Sequence, residues 1–193
     1  MRRRSLPRPA LSRPVEATDN PHAPSFALLA HGFAFRDADP DRAREALRRG
    51  LVIARQSGNR ANESHLAVTL SRLEALHGDP LAALDYFTLT IRNYHDSRDT
   101  TNVRSPLAVL TALFDRIGRY QPAAIIGGFA INPLVTAAAP EFGTAIAHLR
   151  DVLREATYES LARKGETMTT AEIVTYAYDQ IDQARAELNA VSK

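Results

Sequence analysis

Cysteine is missing altogether from the 193 residues, and that absence removes a disulfide framework, thiolate catalysis and cysteine-ligated zinc from consideration. No stretch comes near the roughly 18 apolar residues that a membrane-spanning helix needs. Both absences fit a cytoplasmic protein. The short motifs of common enzyme classes are lacking too: there is no G-x-S-x-G elbow, no H-E-x-x-H and no G-x-x-x-x-G-K-[ST] phosphate loop. His22, His31, His65, His77, His95 and His148 include no pair four residues apart, so a helical zinc site has no local signature. Asp115, Glu141 and Asp151 have no spacing that selects an acid/base pair. Gly127-Gly128 lies in an apolar helical stretch with no lysine after it, which reads as close helix packing. Lys164-Gly165-Glu166-Thr167 lacks the earlier glycine of a phosphate loop. No catalytic residue, cofactor or metal is expected.

Acidic residues are absent from Met1 to Pro14, which holds five arginines, Arg2, Arg3, Arg4, Arg8 and Arg13. Of the 24 basic residues these five belong to the tail, so the rest of the chain carries 19 basic against 22 acidic side chains. The pI of 9.1 therefore reflects the tail. Pro7, Pro9, Pro14, Pro21 and Pro24 oppose helix formation, and no apolar core of the secretory kind follows the arginines. Residues 1–24 are expected to be a disordered Arg/Pro-rich tail, and residues 25–193 a helical domain.

What is present is a period. Ala38, Gly78 and Gly118 mark turns at steps of forty residues. Asp39-Pro40 and Asp79-Pro80 each offer a carboxylate to cap free backbone N–H groups, followed by proline at the first helical position. After them Ala43, Ala46, Leu47, Gly50, Leu51 and Ala54 match Ala83, Tyr86, Phe87, Thr90, Ile91 and Tyr94, one buried helical stripe repeated. A third, degenerate copy has Ala123, Ile126, Gly127, Ala130 and Ile131 before Pro133 interrupts it. Each turn follows another amphipathic segment: Phe26, Leu29, Ala30 and Phe33; then Leu66, Leu70, Leu73 and Leu76; then Val109, Leu110, Leu113, Phe114 and Ile117 after a Ser105-Pro106 start. The expected fold is all-α, in antiparallel helix pairs over about 25–58, 62–97 and 105–131 that must stack to cover their apolar faces.

C-terminal helices are expected over 141–193. One carries Phe142, Ala145, Ile146, Leu149 and Leu153; a second, Ala156 to Lys164, would stop at Gly165. Thr169-Thr170-Ala171-Glu172 is a capping box that opens the last helix. In that helix Val174, Ala177, Ile181, Ala184, Leu188 and Val191 step by 3, 4, 3, 4, 3. Such a seam reads first as a cap on the open end of the stack and second as a homodimer contact.

The run Gly78-Asp79-Pro80-Leu81-Ala82-Ala83-Leu84-Asp85-Tyr86-Phe87 resembles the turn and second helix of a tetratricopeptide repeat. Ala67 stands where that family has a large aromatic, and the period is forty rather than roughly thirty-four residues. The resemblance implies an α-α superhelix. The segment Glu155 to Glu172 resembles the end of the helical sensor region of actinobacterial LuxR-type and nucleotide-cyclase-type regulators with signal-transduction ATPase domains. This second resemblance spans about residues 40 to 190, and implies the sensor part of a signal-transduction or transcriptional regulator without its ATPase and helix-turn-helix parts.

The function expected is a non-enzymatic protein-interaction or regulatory module, with a protein or peptide partner held on first-helix residues. Arg36, Arg72, Glu74, Asn102 and Arg104 are the polar candidates for that surface. The alternative is a DNA-associated regulator using Arg2, Arg3 and Arg4 of the tail with Arg48 and Arg49 of the second helix. Asp41 and Glu45 interrupt the arginine row Arg42, Arg44, Arg48, Arg49 and Arg55, so nucleic-acid contact would be weak.

Overall fold

The computed structural model describes Asn20 and residues 22–191, Val191 by its backbone alone. Ten helices and no strand occur among the described residues. In chain order they are α1 (His22–Phe35), α2 (Pro40–Gln56), α3 (Arg60–His77), α4 (Pro80–Asp96), α5 (Arg104–Arg116), α6 (Tyr120–Ala130), α7 (Pro133–Ala138), α8 (Pro140–Leu153), α9 (Glu155–Glu166) and α10 (Thr170–Val191). No described helix is long and apolar enough to cross a membrane.

The forty-residue period is a structural one. Asp39 accepts the Arg42 N–H at 3.1 Å and Asp79 the Leu81 N–H at 2.9 Å, so both aspartates start second helices with proline in the first turn. The same helices end forty residues apart, at Gly58 (φ 67°) and Arg98 (φ 56°), two residues in the left-handed region. α1 packs on α2, α3 on α4 and α5 on α6, and short connections make each pair an antiparallel hairpin. Neighbouring hairpins join through α2 on α3 and α3 on α5.

The interior falls into two clusters that meet at α3. Leu29, Leu47, Leu51, Leu66, Leu70 and Leu73 fill the first, between α1, α2 and α3. Phe87, Ile91, Leu107, Leu110, Phe114, Ile126 and Phe142 centre the second. Because α3 buries two faces, it places small side chains such as Ser64, Ala67, Ser71 and Ala75 where helices approach closely.

The C-terminal helices wrap the third hairpin. α8 lies against α5 and α6, α9 crosses α6, and α10 turns back over α4 and α6. Two glycines make the α6–α9 crossing possible. A Cβ on Gly128 would collide with the Ala162 carbonyl, and one on Gly165 with the Ile125 carbonyl. Val174, Ala177, Ile181 and Ala184 of the heptad seam are buried inside the chain, so that part of the seam is covered within one molecule. Thr169 and Glu172 form the capping box reciprocally: Glu172 Oε2 accepts the Thr169 N–H at 2.8 Å and Thr169 Oγ1 the Glu172 N–H at 3.3 Å.

Some sequence expectations are corrected. The expected tail 1–24 lies outside the described residues except at its end, where helix starts at His22: Asn20 Oδ1 accepts the His22 N–H at 3.0 Å, and Pro24 falls in the first turn, where no intrahelical N–H bond is required. α1 buries Ser25, Leu29 and Gly32, leaving Phe26, Ala30 and Phe33 exposed. Ser105 does not cap α5, which starts one residue earlier at Arg104. Gly165 is no helix stop, since α9 continues through it and needs it for the crossing. Ile131 lies past the end of α6 and is exposed.

Candidate functional cleft

Between α1, α3, the start of α5 and α7 lies a cleft of about 270 Å³. Each element contributes by its own periodicity. The last turn of α1 brings Phe33, and the turn just after the helix brings Arg36. α3 brings Val68, Thr69 and Arg72 from one face, and Asn102, Ser105 and Val109 follow at helical spacing through the start of α5. α7 forms the remaining wall with Leu134, Val135 and Ala138. Asn132 starts this short helix, its Oδ1 accepting the Val135 N–H at 2.9 Å. Leu134 is 80 % exposed and Phe33 48 % exposed, so both α1 and α7 present apolar surface to solvent at the cleft.

The cleft's cations differ in availability. Arg72 is bound to Glu141 at the start of α8, Nε to Oε1 at 2.6 Å and Nη2 to Oε2 at 2.9 Å, and both side chains are largely buried. That pair fixes the floor rather than offering charge to a ligand. Arg36 lies 5.0 Å from the centre of the Phe33 ring, with its Nε 3.3 Å from the exposed Asp37 carboxylate. It is the cation that reaches the rim. Asn102 is exposed and donates from Nδ2 to Asp99 Oδ2 at 2.7 Å. The Asn102 backbone N–H, then its side-chain amide, hold the Asp99 carboxyl below its ordinary value.

Of the five polar residues expected on this surface, Arg36, Arg72 and Asn102 line the cleft. Glu74 does not. It is 3 % exposed, taking Arg44 Nε at 3.0 Å and Arg48 Nη2 at 2.9 Å on Oε1 and the Asp79 N–H at 3.2 Å on Oε2. A buried carboxylate needs such partners, so Glu74 ties α2 to α3 and to the next helix start. Arg104 turns inward as well, donating to the Phe129 carbonyl while its guanidinium lies 4.3 Å from the Phe129 ring centre.

The arginine row on α2 is mostly spoken for. Arg44 and Arg48 go to Glu74, Arg55 to Glu63 at 2.9 Å, and Arg42 to His31 Nε2 at 3.2 Å and the Phe35 ring. Arg49 is exposed. Arg2, Arg3 and Arg4 lie outside the described residues. Arg44 therefore fastens α2 to α3, while Arg42, Arg48, Arg49 and Arg55 stay exposed along the helix despite their contacts.

Asp115 and His148 meet at 2.8 Å, with the Tyr120 ring edge-on to the imidazole at 5.8 Å. Among the described residues no group of three or more His, Asp or Glu side chains is placed to hold a metal ion. Phe33, Asn132 and Leu134 are among the cleft residues that sequence reasoning missed. Asn132-Pro133 carries the same start signal as Asp39-Pro40, and could have revealed α7 had Pro133 not been read as a break. No protein-family model, curated protein or solved structure matches the chain.

Proposed function

We propose that the helix hairpins form a tetratricopeptide-like superhelix whose cleft holds an extended peptide segment of a partner protein, making the chain a non-enzymatic interaction module. One observation carries the reading: first helices of all three hairpins, together with α7, converge on a cleft with exposed Phe33 and Leu134 on its walls and Arg36 and Asn102 at its rim. Apolar walls with a few polar groups suit an apolar side chain in the cleft and main-chain hydrogen bonds at the edge. The regulatory role, as the sensor part of a LuxR-type or cyclase-linked regulator, rests on the likeness of Glu155 to Glu172 and is proposed on that likeness alone.

The test is selection from a displayed random-peptide library followed by calorimetric titration of the selected peptides. Binding in the micromolar range that weakens about tenfold or more in Leu134→Glu supports the reading. Peptides that bind wild type and Leu134→Glu equally, or a selection yielding no saturable binder, would overturn it.

A further inference from the structure

α1 is apolar on the side it turns away from the chain. There Ala23, Phe26, Ala30 and Phe33 recur at steps of three, four and three, with Phe26 62 % exposed, and Ala27 and Ala34 beside them. No Asp, Glu, Lys or Arg occurs from Ala23 to Ala34. A stack of hairpins needs a polar or covered outer face at each end. At the C-terminal end α8, α9 and α10 provide cover; at α1 no described residue covers the same kind of stripe.

We infer that the α1 stripe is a contact with a second copy of this chain, made by two α1 helices running antiparallel. The spacing is self-complementary. With the two-fold axis level with Leu28, Ala23 of one copy is level with Phe33 of the other, and Phe26 with Ala30. Each of the four layers then pairs one phenylalanine with one alanine, which lets the helices approach evenly. A parallel arrangement would set phenylalanine against phenylalanine and alanine against alanine, giving alternate crowding and gaps.

Charge argues for a second copy over the chain's own first residues. Met1 to Pro14 brings five arginines and three prolines, and α1 has no carboxylate to receive them. Area sets the strength. The two rings offer roughly half of the ~200 Å² each phenylalanine can bury. The contact therefore falls well below the about 800 Å² per partner of a standard interface. The dimer is therefore a weak, transient one.

Sedimentation velocity on the full chain between about 1 and 300 µM tests this. Wild type is expected to shift from the 21.2 kDa monomer towards twice that mass. Phe26→Glu and Ala30→Glu, at exposed positions off the cleft wall, stay monomeric throughout with unchanged helical circular dichroism and melting temperature. A wild-type monomer or a species larger than a dimer at the highest concentration overturns the inference, as does a dimer that persists in both variants. Dimerisation that appears only after deletion of residues 1–19 overturns it too, because the chain's own N-terminal segment would then be the occupant.

Discussion

Arg72 of α3 and Glu141 of α8 hold each other in a two-pronged ion pair across 69 residues of sequence, forming the floor of the cleft and fixing the C-terminal helices to the second hairpin. Their side chains are 14 % and 11 % exposed, so removing one leaves the other a buried, unpaired charge. Glu141→Ala should lower unfolding stability by about 3 kcal/mol or more, whereas the double variant Arg72→Met/Glu141→Leu should come within about 1 kcal/mol of wild type. Urea denaturation of the two proteins measures both. Equal losses in the two would mean that packing, not charge, sets the cost.

The α6–α9 crossing predicts a sharp intolerance. Gly128 and Gly165 each face a carbonyl of the opposing helix with no space for a methyl group, and backbone cannot move aside as a side chain can. Gly128→Ala and Gly165→Ala should each destabilise by about 2–3 kcal/mol despite alanine's better helix propensity. Gly143, a helical glycine with open space at its Cβ position, is the control: Gly143→Ala should be neutral or stabilise by up to about 1 kcal/mol.

Backbone conformation predicts a gain. Arg98 stands at φ 56°, where its counterpart one period earlier is Gly58 at φ 67°. A side chain in the left-handed region costs about 1 kcal/mol that glycine avoids. Arg98→Gly should therefore stabilise by up to about 1 kcal/mol, less what glycine adds to the freedom of the unfolded chain. A thermal melt reads the sign directly; a clear loss would show that the Arg98 side chain contributes more than its backbone strain costs.

Acid should weaken the last helix in a traceable way. The Thr169 backbone N–H, then its hydroxyl, hold the Glu172 carboxyl below the usual 4.5. A depressed folded value means the contribution is fully present above pH 4.5 and disappears as pH falls through the lowered value. Glu172→Gln should melt below wild type at pH 7, and the difference should disappear in acid, as pH falls through the lowered value. A difference that persists there would assign it to the side chain's packing rather than its charge.

Much of the architecture was legible because its signals are local. Asp39-Pro40, Asp79-Pro80 and Thr169 to Glu172 specify helix starts through bonds spanning two or three residues, and each is made. The face of α1 was not legible: alanine, leucine and phenylalanine lie on all its sides, so periodicity alone could not select the face built around Ser25, Leu29 and Gly32. Glu74 looked like a surface charge because its partners, Arg44 and Arg48, are 30 and 26 residues away on another helix. The cleft was half legible. Arg72 lies on a first helix, as expected, and Arg36 and Asn102 in the turns that flank two others, but the wall of α7 depends on a chain reversal after Ile131 that the repeat pattern does not contain.

Hydrogen–deuterium exchange, with and without a selected peptide at saturation, tests the interaction-module account most directly. The account predicts protection confined to the cleft walls, around residues 33–36, 68–72, 101–109 and 132–139, with α2 and the outer side of α10 unchanged. Protection centred on α2 or α10, with the cleft segments exchanging as before, would contradict it.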